Sequence, residues 1–144
     1  MYSFVVCNRP KSYNSKKSRD YEQRLTTAFR KGYPLHQSVQ TELYGLIYHF
    51  YKRDIGIDAD NLSKPVWDCL KGVLFDDDKQ VKMRIAGSFD LLTNDFSVLD
   101  LSGLSQHMAE SLLKAIETED HILYVECGTF TVDIVRLNLE KNEY

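Results

Sequence analysis

The spacing of apolar residues predicts two long helices. Residues 18–31 carry apolar side chains three and four positions apart and are followed by Gly32, which suits a helix end. Residues 105–118 show the same period. The predicted buried face of this second helix consists of Met108, Leu112 and Ile116, with Ala109 and Leu113 beside them.

Five segments rich in β-branched and aromatic residues predict strands: residues 2–7, 41–52, 79–89, 121–126 and 130–138. The second segment is apolar on both faces, so we expect it to be central in a sheet. The last two flank Cys127-Gly128-Thr129, which predicts a hairpin. Residues 90–101 are acidic and predict irregular structure.

This order of elements predicts an α+β fold with a mixed four- or five-stranded sheet and helices packed largely on one face. The length of 144 residues predicts a single domain over residues 1–144.

A short amphipathic helix is predicted between the second and third strands. Pro65 is best tolerated in a first turn, which places the predicted N-cap between Asn61 and Ser63. Gly72 suits the position just past the end of the helix.

Acidic residues flank this helix on both sides. Asp58 and Asp60 precede it, and a run of three aspartates, residues 76–78, follows it. If the two clusters meet, their carboxylates could bind Mg²⁺, and Lys64 could offset charge on a phosphate. The alternative is that these aspartates are only caps, turns and solvated loops.

The pattern of polar residues in this stretch resembles the RusA family of Holliday-junction resolvases. The matching positions are Asp58-Ala-Asp60-Asn61-Leu-Ser-Lys64, Asp68-Cys-Leu70 and Asp77-Asp78-Lys-Gln80-Val81. The resemblance implies that Asp58, Asp60 and Asp78 are catalytic carboxylates that bind the metal. It also implies that Lys64 is a catalytic lysine, that Asp77 belongs to the metal centre, and that the enzyme is a homodimer.

The basic residues are concentrated near the start of the chain. Residues 1–33 hold eight Lys or Arg against two acids, although the whole chain has a net charge of −3. Such a segment can contact DNA phosphates or can simply be solvated surface. A Pro-x-Ser-x-Asn segment here also resembles the same family. The predicted DNA contacts are Arg9, Lys11, Asn14, Lys16 and Lys17.

Composition bears on the cellular compartment and on metal binding. Three cysteines without paired spacing predict reduced thiols, and no apolar run is long enough to cross a membrane, so we expect a cytoplasmic protein. Four scattered histidines do not predict a zinc site.

The sequence therefore predicts a Mg²⁺-dependent endodeoxyribonuclease that cleaves four-way DNA junctions in recombination and repair. A homodimer would supply one site for each of the two strands to be cut. Two alternatives remain: a DNA-binding protein that keeps the fold without cleaving, and an assembly module without a nucleic-acid role.

Overall fold

The computed structural model describes residues 1–11 and 18–140, and within these ranges it contains four strands and three α-helices. In chain order they are β1 (Tyr2–Val6), α1 (Ser18–Gly32), β2 (Leu43–Tyr51), α2 (Ala59–Leu70), β3 (Val81–Asp90), α3 (Gln106–Thr118) and β4 (His121–Thr129). Short 3₁₀ helices cover Asp78–Gln80 and Val132–Ile134. None of the described helices combines the length and the apolar character that crossing a bilayer requires.

The four strands form one mixed sheet in the order β1-β4-β2-β3. β4 runs antiparallel to both of its neighbours, whereas β2 and β3 are parallel and are connected through α2. β2 is paired on both sides, which confirms its predicted central position. The α+β class and the mixed sheet are also confirmed, with four strands in the described residues.

Two of the three helices pack on one face of the sheet. α1 and α2 cover the larger core there, and Trp67 of α2 lies directly over Gly45 of β2, where a Cβ atom would collide with the indole ring. α3 packs on the opposite face, over a smaller core that includes Phe50, Ile122 and Tyr124. The sheet is therefore buried on both sides, which explains why β2 is apolar on both faces.

The predicted start of α2 is wrong. The helix begins at Ala59 with Asp58 as its N-cap, so Pro65 lies in the helix interior rather than in the first turn. An interior proline loses one backbone hydrogen bond and costs roughly 3 kcal/mol relative to alanine. The Asp58 cap and burial of the proline ring in the core offset that cost. Gly72 follows the helix with φ of +81°, as a glycine after a helix end does.

The predicted C-terminal hairpin is also wrong. β4 continues through Cys127 and Gly128, and residues 130–138 form no strand. Cys127 pairs with both Tyr2 and Gly45, so it lies between two neighbouring strands rather than in a turn. Gly128 is required because the ring of Tyr44 lies where its Cβ would be, at 2.7 Å from Tyr44 Cε1. Gly128 therefore allows the Tyr44 ring to lie close to the β4 backbone, and it does not form a turn.

The structure confirms α3 nearly at its predicted bounds, and the predicted Met108, Leu112 and Ile116 all pack in the smaller core. Ser105 caps the helix, and the buried residues are Leu112 and Ala115. Met108 and Ile116 are only partly buried, and Leu113 is 49% exposed. The expectation that Leu113 lies beside the buried face is therefore wrong, and Ala115 is buried instead.

Candidate active site

The first acidic cluster lies at the N-terminus of α2. The Asp58 carboxylate accepts a hydrogen bond from the backbone N–H of Asn61 at 3.0 Å and so caps the helix. Asp60 stands in the first turn, and both side chains are exposed. A carboxylate at this position is stabilised by the positive end of the helix dipole. The cap uses one oxygen of Asp58, and a carboxylate can bind a cation through the other.

The second acidic cluster is a loop held in place by Gln80. The Gln80 Oε1 accepts hydrogen bonds from the backbone N–H groups of Asp76 and Asp77, both at 2.9 Å. Its Nε2 donates to the carbonyls of Val39 at 2.8 Å and Thr41 at 3.1 Å. One side chain therefore fixes the aspartate run to the segment that enters β2. Asp77 caps the 3₁₀ helix that follows, so a structural role accounts for this residue.

The two clusters lie at opposite ends of α2. The helix has 12 residues and is therefore about 18 Å long. Asp58 caps its start, whereas Lys71, just past its end, forms an ion pair with Asp78 at 3.5 Å. Within one chain, the predicted convergence of Asp58, Asp60 and Asp78 is thus wrong.

The direction of α2 explains this separation. The helix runs antiparallel to the parallel strands β2 and β3 and carries the chain from one end of the sheet to the other. Within residues 1–11 and 18–140, no three His, Cys, Asp or Glu side chains form a group that could hold a metal ion. The assignment of these aspartates as metal ligands stays a prediction.

Lys64 lies one turn from Asp60 on the exposed side of α2. Its ammonium forms an ion pair with Asp68 at 3.1 Å, as expected for residues four apart on a helix. Both partners are partly exposed, so the pair contributes little to stability and can open at low cost. The catalytic role of Lys64 stays a prediction.

The basic residues after β1 lie at the same end of the sheet as Asp58. β1 and β2 both run antiparallel to β4, so they point in the same direction and end together. Arg9 and Lys11 follow β1, and Lys52 and Arg53 follow β2. The other predicted DNA contacts, Asn14, Lys16 and Lys17, lie outside the described residues.

The basic residues of β3 occupy a different position. Lys82 lies near the start of this strand and faces Glu42 at 3.8 Å. Arg84 is exposed and pairs in register with Gly45, in the first half of β2. Positive charge near Asp58 therefore comes from the ends of β1 and β2 rather than from β3.

The sequence analysis did not predict a histidine pair at this same end, formed by the buried His49 and the partly exposed His121. His49 Nε2 lies 3.2 Å from His121 Nδ1, and His49 is only 1% exposed. Burial, together with the neighbouring His121, lowers the pKa of His49 to about 4. The two residues are 72 positions apart, so no local spacing signals the pair. The one available signal was a histidine inside the otherwise apolar β2 segment.

The chain matches a known family model. Residues 4–94 match the family model described as Endodeoxyribonuclease RusA. The matched residues make up more than half of the chain. This range includes both acidic clusters and ends before α3 and β4. No curated protein matches the chain.

Proposed function

The chain belongs to the RusA family of endodeoxyribonucleases, and we propose that it is a Mg²⁺-dependent nuclease that cleaves four-way DNA junctions in recombination and repair. The observation that carries the proposal is the arrangement at the start of α2. Asp58, Asp60 and Lys64 are exposed together there, at the end of the sheet to which Arg9 and Arg53 also belong. Carboxylates beside cationic groups suit a phosphodiester substrate.

The donor atoms at this position fit a hard cation. Mg²⁺ takes oxygen ligands and usually binds one or two protein carboxylates, with water and substrate phosphate completing its shell. Asp58 and Asp60 offer two carboxylates one helical turn or less apart. Bound there, Mg²⁺ would supply water activation and stabilisation of the leaving oxygen. The side chains of Asp58 and Asp60 would orient the ion, and Lys64 would offset charge on the attacked phosphate after leaving Asp68.

The position of Asp78 supports a composite site. Because Asp78 and Asp58 lie at opposite ends of α2, both can serve one site only if they come from different chains. In a two-fold symmetric dimer, contact between the start of α2 in one copy and the end of α2 in the other occurs twice. We therefore propose a homodimer with two equivalent sites. Each site would use Asp58, Asp60 and Lys64 of one copy and Asp78 of the second.

Two equivalent sites match the substrate. A four-way junction is resolved by cutting two strands at related positions, which one isolated site cannot do at once. The two-fold axis of the dimer would lie on the axis of the junction. Asp77 would support the partner-facing loop, since it caps the 3₁₀ helix that begins with Asp78.

A cleavage assay tests the function. The protein is incubated with a four-way junction and, separately, with linear duplex DNA of the same arm sequence, with and without Mg²⁺. We expect cleavage of the junction alone and only with Mg²⁺. Binding without cleavage in any divalent metal would instead indicate a non-catalytic DNA-binding protein. The absence of both binding and cleavage would indicate an assembly module.

A further inference from the structure

Three neighbouring strands bring one histidine and two arginines together at the Asp58 end of the sheet. β4 begins at His121, which pairs in register with Tyr51 of β2. On the other side of β4, Val6 of β1 pairs with Leu123. Arg53 and Arg9 follow β2 and β1 directly, so they flank His121 from both sides.

The charges of these arginines reach His121. Burial and the positive charges of Arg9 and Arg53 lower the pKa of His121, while Asp120 acts in the opposite direction. Neither arginine forms an ion pair with any carboxylate of residues 1–11 and 18–140. Two arginines from separate strands therefore place positive charge beside one imidazole, where Asp120 and Asp54 are the neighbouring acidic groups.

The buried neighbour of His121 fixes its tautomer. Within the described residues His49 Nδ1 is buried and has no hydrogen-bond partner. Leaving a buried N–H without an acceptor costs more than leaving a buried acceptor without a donor. The proton of neutral His49 therefore belongs on Nε2 and not on Nδ1, which has no partner in the described residues. That N–H donates to His121 Nδ1 across the observed 3.2 Å. His121 then carries its own proton on Nε2, on the other side of its ring.

We propose that His121, Arg9 and Arg53 form a phosphate-binding site, in which His121 donates through Nε2 as a neutral group and His49 is its positioning residue. The site deepens the proposed function, because a DNA phosphodiester beside the Asp58 end is the ligand that it would take. His121 lies outside residues 4–94, so the family match does not assign it.

A transition-metal site is the rival interpretation of two facing imidazoles, and the structure disfavours it. Both ring nitrogens that face each other would have to be bare, which moves the His49 proton to Nδ1. Ligating histidines almost always donate that second N–H to an acceptor, and His49 Nδ1 has none in the described residues. The arginines beside His121 also repel a cation.

DNA binding tests the site separately from cleavage. Affinity for a four-way junction is measured without Mg²⁺ over a range of salt, in an Asp58→Asn background that removes cleavage. His121→Ala should weaken binding about tenfold, the loss expected for a hydrogen bond to a charged acceptor. Its salt slope should not change, because a neutral donor releases no counterion. Arg53→Ala should lower the slope by about 0.9.

Three further variants separate a binding role from a structural one. His121→Gln keeps an N–H donor and should restore part of the affinity. His49→Phe should weaken binding as His121→Ala does, and the two losses should not add, since both act through His121. His107→Ala removes an exposed histidine on α3 and should have no effect. Unchanged affinity in His121→Ala, or a salt slope that falls with it, would overturn the proposal.

An NMR titration with inorganic phosphate tests the phosphate-binding site independently of nuclease function. ¹⁵N shifts of the wild-type protein should show His121 protonated on Nε2 and His49 protonated on Nε2. Added phosphate should shift the His121 resonances, and Arg9→Ala should reduce that response. If the protein binds no junction but phosphate still shifts His121, the site stands and the proposed function fails. If phosphate leaves the His121 signals unmoved, the site itself is wrong.

Discussion

At the scale of single residues, Asp58 combines a structural and a proposed chemical role. Its carboxylate caps α2 through the Asn61 N–H, and the same group is the first candidate ligand of the metal. Asparagine caps a helix as well as aspartate does but carries no charge, whereas alanine does neither. Substitution at this one position therefore separates the two roles.

Asp58→Asn should abolish Mg²⁺-dependent junction cleavage and leave the free energy of unfolding within a few tenths of a kcal/mol. Asp58→Ala should abolish cleavage and also destabilise the protein by about 1 kcal/mol. Denaturant unfolding and a junction cleavage assay measure the two effects. Cleavage by the asparagine variant at a rate near that of the wild type would remove Asp58 from the catalytic group.

His49 should make stability depend on pH. Its pKa is lowered to about 4 in the folded protein, against about 6.5 when unfolded. The unfolded chain therefore binds more protons between these values, and stability falls as pH drops from about 6.5 toward 4. The full contribution is present above pH 6.5.

The slope from this one group is at most about 1.4 kcal/mol per pH unit. Comparing unfolding free energies at pH 7.5 and 5.5 keeps most carboxylates charged. The wild type should lose stability on acidification, and His49→Phe should lose clearly less. Equal losses in both proteins would mean that His49 does not resist protonation.

At the scale of elements, α2 approaches β2 very closely at one point. The Trp67 indole occupies the space above Gly45 that a side chain would fill, and Trp67 is fully buried. A side chain at position 45 would therefore push the helix, which carries Asp58 and Asp60 at its start, away from the sheet. The acidic loop at the other end is set by the hydrogen bonds of Gln80 instead.

Gly45→Ala should destabilise the protein by about 1–3 kcal/mol, the usual cost of overpacking a core. It should also lower cleavage, because α2 must shift to relieve the clash with Trp67. Gly32→Ala is the matched control: no atom lies within 4 Å of a Cβ built there, so the change should be neutral or slightly stabilising. Thermal unfolding compares the two variants. Equal melting temperatures would show that the indole can move aside without cost.

At the scale of the whole molecule, charge and catalytic groups are distributed unevenly. The net charge is −3, yet Arg9, Lys11, Lys52 and Arg53 gather at the end of the sheet where α2 begins. The C-terminal part of the chain, which adds α3 and β4, is acidic. DNA should therefore approach the strand ends, and the α3 face should not contact it.

Mixing two inactive variants tests the composite site. In a heterodimer of Asp58→Asn and Asp78→Asn chains, one site would combine the two intact residues and the other would combine the two substituted ones. We expect the mixed proteins to nick junction DNA, although neither variant does so alone. Random pairing would restore about a quarter of the wild-type sites.

Asp58→Asn mixed with Asp60→Asn is the control, because both residues lie at the same end of α2 and no intact site can form. Restored nicking in the control, or none in the test mixture, would contradict a site shared between copies. Sedimentation of the unmixed wild type reports independently whether a dimer forms.

Local sequence determined the helices, four of the strands and the acidic motif. The apolar period of residues 18–31 and the double-sided apolar character of β2 are local features, so they predict helix and strand directly. The family pattern around Asp58, Asp60 and Lys64 is local for the same reason. The start of α2 nevertheless differs from the predicted one, because the Asp58 cap and burial of the Pro65 ring offset the cost of a proline inside the helix.

Only the tertiary structure decided which residues meet. The direction of α2 separates Asp58 from Asp78 by the length of a helix, although 20 positions in sequence gave no sign of it. From the sequence, Gly128 predicts a turn. The structure shows that the Tyr44 ring occupies the space where its side chain would be. His49 and His121 meet because β4 returns between β1 and β2, and strand pairing over such a span depends on the whole fold rather than on any local pattern.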